Sequence, residues 1–115
     1  MAKSHKPIVW GLFAGGGTVS AFVTPVMIFV TGLAVQLHLF SPGALSYERM
    51  HAFAANPLGK LILFGVVFLP AWHAAHRLRI TAHDFGLRAD IPIAIVLYSL
   101  AGLGTLVTLS ALAGI

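Results

Sequence analysis

Trp72-His73-Ala74-Ala75-His76-Arg77-Leu78-Arg79-Ile80-Thr81-Ala82-His83-Asp84 packs three histidines, two arginines and an aspartate into one short stretch. Residues 61–71 before it carry no charge, and a second uncharged run begins after Asp90. Ionisable groups are costly in lipid unless they are paired, hydrated or at the interface. The stretch therefore marks a membrane surface, and the rest of the chain is laid out from it.

Composition supports the same frame. Of 115 residues, 58% are hydrophobic and 9% charged, whereas soluble domains carry roughly 25% charged residues. Such a chain cannot cover a water-facing surface. The expected class is an all-α membrane protein with one domain over residues 1–115 and room for three spans, because each helical crossing needs about 20 apolar residues. Seven Lys/Arg against three Asp/Glu give a net charge of +4, which reads as topology and headgroup contact with the lipid bilayer. No dense basic patch points to nucleic acid. The absence of cysteine excludes disulfides, thiolate-bound clusters and cysteine nucleophiles on this chain.

Outward from the polar stretch, the spans fall at about 8–38, 57–79 and 91–112. From Pro7 to Tyr47 there is no Asp, Glu, Lys or Arg. Lys3 and Lys6 ahead of this run resemble the start of a signal peptide. The run is too long for one and two more spans follow, so a retained first span is expected. Pro25 inside it and Pro70 inside the second predict kinks. Ser41-Pro42-Gly43 breaks the first helix, and residues 46–54 suit a short surface helix. Asn56-Pro57 has the form of a cap followed by a first helical proline. Residues 80–90 read as a polar connection turning at Phe85-Gly86, with Asp84 and Asp90 as solvated loop charges.

Lys3, Lys6, Arg77, Arg79 and Arg88 lie on one side of this layout and Arg49 and Lys60 on the other. The positive-inside rule then places the N-terminus in the cytoplasm and the C-terminus outside. Trp10 and the region 76–79 share the cytoplasmic side.

Spacing of i, i+3 and i+4 brings His73, His76 and Arg77 towards one helical face. Two readings fit that face: hydrogen bonding to a polar headgroup such as a quinone carbonyl, or an interfacial cluster holding lipid phosphates or partner carboxylates. Trp10 is likewise either an aromatic-belt residue or an indole N–H donor to a ligand oxygen. A bis-histidine haem site needs ligands facing each other at one depth. His73 and His76 lie near one surface, His38 and His51 near the other, and the third span has no histidine. The chain alone cannot supply such a site, and no metal site is expected. Gly11, Gly15, Gly16 and Gly17, with Gly102 and Gly104, read as helix-packing positions, Gly11 and Gly15 having the GxxxG spacing. A single glutamate and no acid within a span leave no acid–base pair for catalysis, so the chain is not expected to be an enzyme by itself.

The runs Trp10-Gly11-Leu12-Phe13-Ala14-Gly15-Gly16-Gly17, Thr24-Pro25-Val26-Met27, Ala44-Leu45-Ser46-Tyr47-Glu48-Arg49, His76-Arg77 and Ala82-His83-Asp84 follow one another in an order that closely resembles the D subunit of fumarate reductase. That family comprises membrane anchors of bacterial quinol:fumarate reductase, in the inner membrane. The resemblance implies bundling with a second membrane anchor, the C type, and partnership with an iron–sulfur subunit and a flavoprotein subunit in a heterotetramer. It implies menaquinol oxidation at a shared cytoplasmic site, flavin and iron–sulfur clusters on the partners only, and no haem. Trp10 matches the family's quinone-site tryptophan, and His76 and Arg77 match its His-Arg pair. Phe53 lies in a stretch tied to quinone behaviour on the outer side, although Ala55 and Asn56 depart from the polar pair expected beside it. His73 and Arg79 carry no transferred role. Two other classes stay open at this point: a stand-alone transporter or channel subunit, and a haem-bearing succinate dehydrogenase anchor.

Overall fold

The computed structural model describes residues 4–115; Lys3, one of the charges used for orientation, lies outside them. Among the described residues the chain is all-helical, with three helices long and apolar enough to cross a membrane: α1 (Lys6–Gln36), α3 (Pro57–Asp84) and α4 (Asp90–Ala113). A short helix α2 (Tyr47–Ala55) precedes α3. The central member is α3, packed against α1 on one side and α4 on the other.

The helix ends follow from local chemistry. Ser46 caps α2 by accepting from the Arg49 amide at 3.4 Å, and Asn56 caps α3 by accepting from the Leu58 amide at 2.9 Å with Pro57 next in line. At the far end of α3, Gly86 takes φ +81°. The Leu87 amide then reaches the Ala82 carbonyl and the Gly86 amide the His83 carbonyl, the paired closure of a Schellman motif. The same closure ends α1, where Leu39 reaches Ala34 and His38 reaches Val35. There the left-handed position belongs to His38, at φ 55°.

Two helix ends fall elsewhere than expected, and both prolines stay inside continuous helices. The second span does not stop at residue 79: α3 continues to Asp84, so residues 80–84 are helical and the connection shrinks to residues 85–89. Around Pro25 the helix persists and widens. Turns of π type occupy Val19–Val23 and Phe29–Leu33, where the Thr24 amide bonds Val19 and the Ala34 amide bonds Phe29. Such bulges absorb the carbonyl that a proline leaves without a partner. Pro70 sits within an unbroken α3. Finally, the first helix ends at Gln36, two residues short of His38.

The glycines divide sharply. A Cβ on Gly16 would collide with the Leu69 carbonyl and lie 2.6 Å from His73 Cβ, and one on Gly17 would lie 3.0 Å from the His73 ring. Gly16 is thus the close-approach point of α1 on α3. Gly59 plays the same part under α2, against the Phe53 carbonyl. Gly11, Gly102 and Gly104 have nothing within 4 Å and Gly15 only one methyl at that limit. The GxxxG pair is therefore not a packing contact within this chain.

Among the described residues no large side chain is fully buried, and the buried apolar residues are Ala34, Ala75 and Ala101. Beyond Val23, α1 leaves α3 and makes little contact with the rest of the chain. A fold with this little interior needs lipid or other helices around it.

Candidate functional site

Where α1, α3 and α4 come together near the polar stretch, they enclose a cavity of about 600 Å³. α1 contributes Trp10 and Phe13, α3 contributes Phe68, Trp72, His73 and His76, and α4 contributes Tyr98. The volume is within the range of pockets for small organic ligands, roughly 300–1,000 Å³.

Its walls are ordered by two sets of ring contacts, joined by a hydrogen bond between His76 and Tyr98. Trp10 meets Phe13 edge-on at 5.8 Å, Phe13 stacks on His73 at 4.4 Å and meets His76 edge-on at 4.9 Å. On the other side Trp72 stacks on Tyr98 at 6.0 Å. The Trp72 indole N–H donates to Thr105 Oγ1 at 3.0 Å, and Thr105 donates in turn to the Ala101 carbonyl at 2.8 Å. Trp72 is thereby fixed to α4 as a wall.

The two histidines are not equivalent. His73 Nδ1 lies 2.9 Å from the Phe13 carbonyl, a tie that pins α1 to α3 beside Gly16 and Gly17. His76 Nδ1 lies 3.0 Å from the Tyr98 hydroxyl, and its Nε2 makes no hydrogen bond among the described residues. Trp10 is 63% exposed, so its indole is available to a ligand or a neighbouring chain. The cavity thus offers aromatic faces for a flat ligand, with His76 Nε2 and the Trp10 N–H for its oxygens.

Of the residues singled out in the sequence, Trp10, His73 and His76 meet at this cavity. Arg77 is exposed, outside the lining, and has no hydrogen bond or ion pair among the described residues. At about 100° per residue, His76 and Arg77 fall about 60° and 40° to either side of His73 on one broad face, with His76 on the cavity side and Arg77 at its exposed margin. Phe53 belongs to α2, against the start of α3, and His76 is roughly 26 Å further along that helix. The outer region and the cavity are separate places.

Asp90 is not a free loop charge. Its carboxylate accepts from Arg79 Nε at 2.7 Å and from Nη2 at 2.6 Å, and His83 Nε2 is 2.8 Å away. Arg79 also lies over the Tyr98 ring at 5.8 Å, within cation–π range. Tyr98 and Trp72 are among the lining residues that sequence reasoning missed, with Phe68. The available signal was a phenol standing alone in an otherwise hydroxyl-and-alkyl third span.

Comparison with known proteins identifies the family. The profile that describes the D subunit of fumarate reductase matches residues 1–113. The chain is 41% identical over 103 residues to the fumarate reductase D subunit of Vibrio parahaemolyticus serotype O3:K6, covering 90% of this chain and 82% of the relative. Against the Photobacterium profundum protein of the same name it is 40% identical over 99 residues, covering 86% and 82%. Against that of Aliivibrio fischeri it is 37% identical over 106 residues, covering 92% and 88%. With three apolar helices and a match along nearly its whole length, the chain belongs to the family of fumarate reductase D subunits.

Proposed function

We propose that this protein is a membrane anchor of a quinol:fumarate reductase and that the cavity between α1, α3 and α4 is its part of the menaquinol site. The observation that carries this reading is the meeting of Trp10 and His76 on one aromatic-walled cavity, at the charged end of an otherwise apolar bundle. The bound quinol supplies two electrons and two protons. This chain holds and orients the ring: Phe13 and Trp72 wall its faces, the Trp10 N–H donates to one oxygen, and His76 Nε2 serves the proton at another. Arg77, exposed beside the cavity, faces a neighbouring protein of the complex and completes the site from there.

Electron carriers belong to partners, an iron–sulfur protein and a flavoprotein, with a second three-helix anchor covering the bare faces of α1 and α4. The extensive apolar exposure supports that covering: Phe22, Ile28, Ile91 and Leu106 are each more than 60% exposed. Lys6, Arg77, Arg79 and Arg88 cluster at the cavity end, which the positive-inside rule assigns to the cytoplasmic face of the inner membrane.

Trp10→Phe and Arg77→Leu are each expected to lower quinol-driven fumarate reduction about tenfold, the size of one hydrogen bond to a polar or charged group. Fumarate reduction from a soluble artificial donor should persist in both, since that chemistry sits on another protein of the complex. Full quinol turnover in both variants contradicts the assignment.

A further inference from the structure

Tyr98 is the one hydroxyl-bearing residue of α4 that lines the cavity, and the reading of the cavity as a quinol site leaves it without a task. Its ring is held from two sides, by the stack on Trp72 at 6.0 Å and by the Arg79 guanidinium at 5.8 Å. Arg79 is itself clamped to Asp90 by two short bonds. The phenol of α4 is thus held by two groups of α3, each itself tied back to α4 through Asp90 or Thr105, and its one hydrogen bond among the described residues is to His76 Nδ1 at 3.0 Å. The His76 ring also meets the Phe13 ring edge-on.

A phenol hydroxyl both donates and accepts, whereas each imidazole nitrogen has a single role in a given tautomer. If the hydroxyl donates to Nδ1, the proton of neutral His76 is on Nε2, which then donates to a ligand oxygen. If the hydroxyl accepts from Nδ1–H, Nε2 has a free lone pair and accepts from a ligand O–H. The direction in which this hydroxyl points therefore decides which nitrogen of neutral His76 carries the proton.

We propose that Tyr98 is a positioning residue that sets the tautomer of His76. This inference rests on the proposed quinol site. When the quinol is bound, Tyr98 accepts from Nδ1–H and leaves Nε2 open. One quinol O–H bond breaks, an Nε2–H bond forms, and the positive charge on the imidazole is met by the Tyr98 oxygen. The second quinol proton passes to water at the open side of the site as the two electrons leave and the ring becomes quinone. The electrons go to the iron–sulfur cluster of the partner protein. Tyr98 itself exchanges no electron and touches His76, not the reacting oxygen. Arg79 and Asp90 keep the phenol aimed.

The test uses the whole complex in membranes, with turnover normalised to flavin content. Tyr98→Phe keeps the ring, its stack and its contact with Arg79, and removes only the hydroxyl. The expected result is about a tenfold fall in kcat with quinol, the loss of one hydrogen bond to a group that becomes charged, with little change in KM. In a His76→Gln background the same substitution should add nothing, the signature of a residue acting through its partner. A second readout does not depend on turnover. With ring-15N histidine, the His76 signals, assigned by their loss in His76→Gln, should shift towards the other tautomer in Tyr98→Phe. Unchanged His76 signals, or an equal fall in both backgrounds, overturn the inference while leaving the quinol site standing. Full quinol turnover in His76→Gln overturns His76 as the proton acceptor and this inference with it.

Discussion

Gly16 is a position whose smallness the fold cannot do without. The helix backbones of α1 and α3 approach there so closely that a methyl group would meet the Leu69 carbonyl and His73 Cβ. Neither neighbour is the free end of a flexible side chain, so the helices would have to move apart. Overpacking of this kind costs about 1–3 kcal/mol. The nearby tie between His73 and the Phe13 carbonyl would loosen in the same step. Gly16→Ala should therefore lower the thermal midpoint of the detergent-solubilised complex and weaken quinol turnover, because Phe13 and Trp10 ride on α1. Gly65→Ala, where nothing lies within 4 Å, should be neutral or slightly stabilising in the same melting measurement, since alanine favours helix over glycine. Sequence alone read Gly11, Gly15, Gly16 and Gly17 together as packing positions and noted the GxxxG spacing of Gly11 with Gly15. Spacing identifies a stripe but not which part of it faces another helix, and that depends on where α1 crosses α3.

At the scale of elements, the α3–α4 hairpin positions Tyr98 against His76. Its turn is short, residues 85–89, and it is closed by Gly86 in the left-handed region and by the Arg79–Asp90 pair. Asp90 begins α4, where a negative charge also suits the helix N-terminus. Asp90→Asn leaves Arg79 and His83 facing each other with no anion between them. Limited trypsin treatment of membranes should then cut after Arg88 several-fold faster than in the parent chain. Exchanging the charges, Arg79→Asp with Asp90→Arg, should restore much of the protection. Equal cleavage in all three proteins would remove the pair from the account of the hairpin. The sequence showed the caps Ser46 and Asn56 and the turn at Phe85-Gly86 because those are local signals. It ended the second span five residues early because polar residues 80–84 look like a loop when their partner, Asp90, is out of view.

The whole molecule is a helix trio with almost no interior of its own. Hydropathy and charge placement made the three spans readable, since lipid imposes that pattern on any chain crossing it. Trp10 and His76 were readable as a pair through topology: a first helix beginning, and a second ending, at one surface. Arg77 lies at the exposed margin of the cavity and not in its lining, and Tyr98 was overlooked, because a lone phenol in a span gains meaning only once its partner across the helix interface is known. The cavity is open at Trp10, and the apolar faces of α1 and α4 are bare. Both features fit one member of an assembly, with the ligand closed in by neighbours. The most direct measurement is an electron cryo-microscopy map of the complex purified through this chain in mild detergent and saturated with a naphthoquinol analogue. The account predicts ring density between Trp10, Phe13 and His76, beside a partner carrying an iron–sulfur cluster. A chain that purifies without flavin- or cluster-bearing partners, or ring density that leaves this cavity empty, would contradict it.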